Sequence, residues 1–552
     1  MPVIRAFSVL ILFSVAFALL PGCRQSGTAA PTGIRFVDVA KPAGINYVFS
    51  AGIREDKDAL PLTILETIGN GCAFLDYDHD GNLDILLVGP KMALFKGDGK
   101  GHFRDVTHQT GLDKWHDHFL GCAVGDYDND GYDDLYLSGY RTGRLLHNDS
   151  GKSFTDVTHA AGIHPERWGT SCGWADLDGD GRLDLVIANY VQFGPDPLQY
   201  PQRCEPLACP PQDYRSERPT CYRNLGGGRF ADVSVSSGLH VTEGKGLGVA
   251  FADYDGDGRP DILIANDEVA GDLFHNDGGL HFTNVGRASG TAFGPEGRVQ
   301  GGMGADWADY NGDGRLDAVV ATYQGQPKSL YCNDGRGLFH NGSQAAGIFE
   351  VSKPFVAFGI KWLDYDNDGR PDLMIANGNV DNHIDVMFPD QHYRQRALVL
   401  HNADGTHLTD ESAALGPDLQ KLIVGRGLAT GDFDNDGRID ALMVDANGPP
   451  LLLHNQGGHV GHWLGLALVG TGRSNRDALG ARVTLTAGGR TQVKEVQTAG
   501  SYLSASDKRL LFGLGEATRI DSLSIRWPDG RTQSVTGLQV GRYQAIREAG
   551  GP

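Results

Sequence analysis

Short apolar runs fenced by Gly, Asn or Asp recur along most of the chain. "GCAFL" (71–75) precedes an acidic stretch and "DILLVG" (84–89) follows it; "GVAFA" (248–252) and "DILIAN" (261–266) repeat the arrangement. The runs are too short for helices and end on turn residues, so they predict buried β-strands. A third run with Asn near its end comes next, as in "RLLHND" (144–149), "TCYRNL" (220–225), "DLFHND" (272–277) and "SLYCND" (329–334). A Gly-rich turn then leads to a fourth, as in "SFTDVT" (153–158), "RFADVS" (229–234) and "HFTNVG" (281–286). Four strands in a unit of roughly 50 residues predict the blade of a β-propeller.

The acidic stretch between the first two strands is a nonapeptide with Asp at positions 1, 3, 5 and 9 and Gly at 6. Seven copies occur. The first three hold Asp76, Asp78, Asp80, Asn82 and Asp84; Asp126, Asp128, Asp130, Tyr132 and Asp134; and Asp176, Asp178, Asp180, Arg182 and Asp184. The next two hold Asp253, Asp255, Asp257, Arg259 and Asp261, then Asp309, Asn311, Asp313, Arg315 and Asp317. The last two hold Asp364, Asp366, Asp368, Arg370 and Asp372, then Asp432, Asp434, Asp436, Arg438 and Asp440. Alternating carboxylates on a tight turn gather hard oxygens, with the position-7 carbonyl among them, as Ca²⁺ requires. An EF-hand needs Glu at position 12. That position holds Leu87, Leu137, Ile187, Ile264, Val320, Ile375 and Met443, all apolar, so an EF-hand is excluded. Seven loops predict up to seven Ca²⁺ ions.

The seventh unit has a third strand, "PLLLHNQGG" (450–458), but no fourth. A fitting strand stands near the other end, in "IRFVDVAKPAGI" (34–45). It is expected to complete the last blade and remove an open sheet edge. The fold class expected is therefore all-β: a seven-bladed propeller over 34–458 with a small β domain over 459–552. That tail alternates apolar runs with Gly and Asp-Gly turns, as a small sandwich or barrel does. Arg476, Asp477, Arg482 and the Ser501–Ser504 segment are expected to serve turns and contacts between the domains.

Charge narrows the function. The formal net charge of −21 argues against nucleic acid and anionic membrane surfaces as partners. At the N-terminus, Arg5 precedes an apolar stretch that ends in Leu20-Pro21-Gly22-Cys23. It reads as a lipoprotein signal over 1–22, lipidation at Cys23 and a tether over 23–33, hence an exported, membrane-anchored protein, periplasmic or at the cell surface. In an exported chain the Pro-rich insertion predicts a Cys204–Cys209 disulfide, with Cys221 and Cys332 as the other available partners. Cys72, Cys122 and Cys172 fall on equivalent first-strand positions and read as small buried hydrophobes. His147, His275, His401 and His454 recur before the third-strand Asn and read as strand-end packing.

The repeats resemble the FG-GAP/VCBS repeats of integrin α-subunit propellers, which hold Ca²⁺ between the first two strands of a blade. In the tail, "NRDALGARVTL" (475–485), "GSYLSASDKRLLFGLG" (500–515) and "IRWPDG" (525–530) resemble the ASPIC/UnbV domain. Together they resemble the cartilage acidic protein-like family. That likeness implies an extracellular or cell-surface location, Ca²⁺ binding and a role in adhesion or recognition. No nucleophile elbow, phosphate loop, zincin motif or dinucleotide fingerprint is found. The expected function is a calcium-stabilised module that binds an extracellular protein or a glycan. The alternative is a polysaccharide-acting propeller enzyme with its site in the central funnel. Loops on the face opposite the acidic turns carry the ligand candidates Glu66, Trp115, His116, His118, Tyr214, Arg215 and His383.

Overall fold

The computed structural model describes residues 33–49, 60–196, 201–458 and 460–550. The signal segment, Cys23 and the tether to residue 32 lie outside the described residues. The architecture is all-β. Each acidic nonapeptide joins two antiparallel strands whose register closes on its own position 9: Leu75 pairs with Asp84, Gly125 with Asp134 and Ala175 with Asp184. Third and fourth strands add outward in order. The first sheet runs Cys72–Leu75, Asp84–Leu87, Ala93–Gly97, Phe103–Asp105. The last runs Gly425–Gly431, Asp440–Asp445, Leu451–Gln456 and then Arg35–Asp38, with Phe36 opposite Asn455. The strand near the N-terminus thus supplies the outer strand of the last sheet.

The first strands are buried, apart from the ends Gln300 and Ala308 of the fifth, and each packs against the next. Gly425–Gly431 packs back onto Cys72–Leu75. The third-strand Asn, visible in the sequence as a recurring residue, stitches neighbours together. Asn148 donates its side-chain amide to Tyr77 O and Asn224 to Tyr127 O, both at 2.8 Å, and Asn455 reaches Tyr365 O at the same distance. The second to seventh sheets therefore each hang on the acidic loop of the one before; the first has Gly97 in place of the Asn.

The tail forms two sheets around one core. One pairs His462–Val469 with Leu510–Gly515 and, in parallel, with Tyr543–Arg547; the other runs Arg490–Glu495, Arg482–Ala487, Ser522–Arg526, Thr532–Ser534. Leu466, Phe512, Val483 and Ile525 fill the space between them. One segment of the tail leaves this sandwich and runs between the first strands of the ring. Ala505 N donates to Cys72 O and Ala505 O accepts Phe74 N, Ser501 and Ala305 exchange backbone hydrogen bonds, and Leu503 O accepts Cys122 N at 3.2 Å. Tyr502, with no exposed surface, donates its hydroxyl to Ile68 O at 3.0 Å. Gly71 makes room: a Cβ there would meet Leu503 O at 1.9 Å. This segment fills the space between the first strands, and it places Ser501 and Leu503 in the left-handed region at φ +65° and +55°.

Candidate metal centres

Each acidic loop folds around its own carboxylates. The position-6 Gly has φ between +83° and +101° in all seven loops, where a Cβ costs about 1–2 kcal/mol. Position 4 is left-handed too, held by His79, Asn129, Asn367 and Asn435 and by Gly in the other three. The position-1 carboxylate accepts the N–H groups of positions 5 and 6. Asp76 takes Asp80 N at 3.0 Å and Gly81 N at 2.9 Å, and Asp126 and Asp432 repeat the pair. The position-9 carboxylate accepts a backbone N–H from the third strand, Gly97 N on Asp84 at 2.8 Å and Asn148 N on Asp134 at 2.7 Å. Position 3 varies: Asp128, Asp255 and Asp366 accept the position-5 N–H, but three others do not. Asp78 Oδ1, Asp178 Oδ1 and Asp434 Oδ1 are buried and accept no hydrogen bond.

These arrangements concentrate negative charge, which cations of the chain answer in part. Oxygens of Asp76, Asp78 and Asp84 lie within 4.8 Å of one another. Burial, then the neighbouring carboxylates, pushes Asp84 and Asp317 up to about 8 and Asp261 up to about 9. Asp176 rises to about 7 for the same reasons. A hard divalent cation is the group that would hold such carboxyls ionised, and the donor set is all oxygen apart from a flanking third-strand residue.

That third-strand residue is the feature sequence reading missed. His147 Nδ1 lies 3.3 Å from Asp134 and 3.4 Å from Asp128, and His275 repeats this with Asp261 and Asp255. His401 reaches Asp372 at 3.0 Å and His454 reaches Asp434 at 3.1 Å. These rings also touch Tyr127, Tyr254, Tyr365 and Phe433, so the packing reading is incomplete rather than empty. In the first loop the same place holds Lys96, paired with Asp78 and, at 2.9 Å, with Asp80. In the third it holds Arg223, 2.6 Å from Asp178. In the fifth it holds Cys332, whose thiol faces the Tyr310 hydroxyl. A signal was present: the residue before the third-strand Asn is Arg, Cys or His in six sheets, and in the first Lys96 stands before Gly97.

The tail sits on the loop side. Asp477 accepts Asp126 N at 2.7 Å, Arg482 donates to Gly314 O at 2.8 Å and Arg509 to Asp432 O at 2.9 Å. Arg526 pairs with Asp253. The ligand candidates are elsewhere and do not converge on one point. Glu66 caps a short helix, Ile64–Ile68, through Thr63, and lies 3.5 Å from Arg203. Tyr214 is buried, with its hydroxyl on Pro201 O at 2.6 Å, so it holds the insertion together rather than facing a ligand. Trp115 packs partly buried beside the first two sheets, and half-buried His118 is held below the usual imidazole range by burial. His116 and Arg215 are exposed, and His383 Nδ1 lies 3.3 Å from Pro206 O. Cys204 and Cys209 form a disulfide, while Cys221 and Cys332 are buried free thiols, as are Cys72, Cys122 and Cys172.

Comparison with known proteins fits this layout. The FG-GAP-like repeat family model matches residues 76–137, 126–187, 212–264, 253–320 and 309–375, and the ASPIC and UnbV model matches 470–552. Cartilage acidic protein 1 of Mus musculus is 26% identical over 388 residues, 69% of this chain and 54% of that one. Its Xenopus tropicalis counterpart is 24% identical over 498 residues, 84% of this chain and 71% of that one. The chain spans about half the length of the mammalian relatives it matches. Among solved structures, an Agrocybe aegerita lectin that recognises non-reducing terminal N-acetylglucosamine overlaps 69% of this chain and 86% of its own. With 18% identity and a TM-score of 0.41, that overlap carries no argument.

Proposed function

The chain belongs to the FG-GAP-repeat family whose members carry an ASPIC/UnbV domain, and on that premise we propose a calcium-stabilised recognition module of the cell exterior. In this reading the successive sheets are the blades of a closed seven-bladed propeller. The cycle of first-strand contacts and the outer strand Arg35–Asp38 support it. The acidic loops hold Ca²⁺ through their carboxylates, and the ions fix the loops on which neighbouring sheets hang. The observation that carries the proposal is the convergence of candidate ligand atoms, carboxylate oxygens above all, to within 4.8 Å of one another in the first, second, fourth and seventh loops. Ca²⁺ bound to the folded state alone stabilises it by mass action, about 2.7 kcal/mol for a site at 100 times its dissociation constant.

The loops are not equal. Lys96 and Arg223 bring a cation of the chain's own to the first and third, and Arg526 brings one to Asp253 of the fourth, so these three bind Ca²⁺ most weakly; the remaining four bind it well. The tail covers the loop face, which leaves the opposite face for an extracellular protein or glycan. Trp115, His116, Arg215 and His383 are the contacts to test there. The lipid anchor at Cys23 is part of the proposal; Cys23→Ala should move the protein from the detergent phase to the aqueous phase. The function is tested by passing a glycan array and an extracellular protein library over the calcium-loaded chain. Binding without turnover that weakens in Trp115→Ala or His383→Ala supports the reading. Binding that both variants keep in full refutes the assignment of faces.

A further inference from the structure

Away from the acidic loops, the repeats stop being alike. The second strand of the fourth sheet, Asp261–Val269, runs past its counterparts Asp184–Asn189 and Asp317–Thr322. Its added residues pair with the next sheet, Asp267 opposite Gly301 and Val269 opposite Gln300. Glu268, between them, has φ +58°. Strain of this kind is retained where surrounding structure enforces it. The insertion that follows the third sheet's second strand folds over this corner, its tip closed by the Cys204–Cys209 disulfide, and the helix Ile64–Ile68 approaches from another side.

Together they bound a cavity of about 490 Å³, within the size range of small-molecule sites. Ile64, Ile68, Leu247, Met303 and Phe358 give it an apolar wall. Three carboxylates complete it: Asp267, Glu268 and Asp381. Asp267 is 9% exposed and accepts the Tyr190 hydroxyl at 2.6 Å. Glu268 accepts side-chain amides of Gln212 and Gln326 at 3.1 and 3.4 Å, and Asp381 accepts Ala208 N at 2.7 Å. Among the described residues, no Lys or Arg nitrogen lies within 4 Å of any of the three. The nearby cations hydrogen-bond elsewhere, although the charge of Lys245 is felt at Asp267 and Glu268. Lys245 donates to Pro211 O at 2.9 Å, and Arg426 lies over the Phe358 ring and donates to Thr67 O and Asn379 O.

An anion is repelled by such a wall. A sugar finds little to stack on, because the Phe358 ring is covered by Arg426 and Tyr502 and the Tyr190 ring by Trp168. We infer that this cavity binds a small amphiphilic cation, its ammonium nitrogen at Asp267 and Glu268 and its aliphatic body against Ile64, Leu247 and Met303. Burial, with Glu268 adding to it and the Tyr190 hydroxyl and the Lys245 charge opposing it, pushes Asp267 up to about 7, and a bound cation would favour the ionised carboxyl. The Tyr323 hydroxyl is raised by burial and then by Asp381, Asp267 and Glu268, so all three acids act on one spot. The site is independent of the metal loops and of the protein or glycan reading.

The test is titration calorimetry of the calcium-loaded full chain with n-hexyltrimethylammonium, hexane-1-sulfonate and hexan-1-ol, which share a body and differ in head group. The ammonium should bind saturably, one per chain, at least about tenfold tighter than the other two. Asp267→Asn and the rim variant Glu268→Gln should each weaken the ammonium about tenfold and leave hexanol unchanged. Glu268→Gln keeps the test decisive if Asp267→Asn fails to fold. Absence of saturable ammonium binding, sulfonate binding of equal strength, or full ammonium affinity in Glu268→Gln overturns the inference. None of these outcomes bears on the metal loops, which chelation scores separately.

Discussion

On the acidic-loop face, carboxylates are gathered and answered. Asp253 receives Arg526, Arg482 donates to its carbonyl at 3.2 Å, and Lys508 bridges Asp133 and Asp477. On the opposite face, Asp267, Glu268 and Asp381 gather around a cavity and receive neutral donors only. The first face repeats the same turn seven times and is covered by the tail. The second is made of segments that occur once each, the insertion near Cys204, the helix Ile64–Ile68 and the overlong strand Asp261–Val269. Repetition serves a structural task that every blade shares, whereas recognition needs side chains that differ. Asp is common to both faces, so residue type alone does not separate their roles; the partner of each carboxylate does.

The largest expected effect bears on the first face alone. Excess EGTA should lower the melting temperature by about 10 °C or more, since several sites each contribute by mass action. Mg²⁺ should restore little of it, because its octahedral demand suits these loops poorly. Next is the segment between the first strands. Tyr502→Ala empties a wholly buried position and should cost about 3 kcal/mol or more in a denaturant titration. A smaller loss would mean that the tail rests on the ring without supporting it.

How much of this was legible in the sequence differs between the same regions. The strands, the loops and the closing strand Arg35–Asp38 could be read because each is encoded locally and repeated in register. The segment between the first strands could not. Tyr502 meets Ile68 across 434 residues, and the left-handed Ser501 and Leu503 carry no residue type that announces such a backbone. The residue facing each loop was hidden by its variety, since Lys96, Arg223, Cys332 and the His residues share a place and not a chemistry. The cavity was hidden for a third reason. Its acids become neighbours only when Asp261–Val269 outruns its counterparts and pairs across to Gly301, a departure from the repeat rather than an instance of it.

A pair of variants sharpens the comparison at a finer scale. Asp255→Ala on the loop face should lose one bound ion and about 2–3 kcal/mol at saturating Ca²⁺. Trp115→Ala and His383→Ala on the other face should leave thermal stability within roughly 1 kcal/mol and weaken the ligand instead. The smallest effect concerns the chain's own cations. Lys96→Ala should tighten Ca²⁺ binding at the first loop by about tenfold, because an ammonium no longer competes for Asp78 and Asp80. Isothermal titration on the variant and the parent would show it as an additional tight site.

The most direct measurement is the number of Ca²⁺ ions retained per chain, counted by native mass spectrometry at micromolar free Ca²⁺. The account predicts four tightly held ions in the parent and six when Lys96→Ala and Arg223→Ala are combined, the fourth loop still holding Arg526. A chain that retains none, or whose count is unmoved by removing both cations, would contradict it.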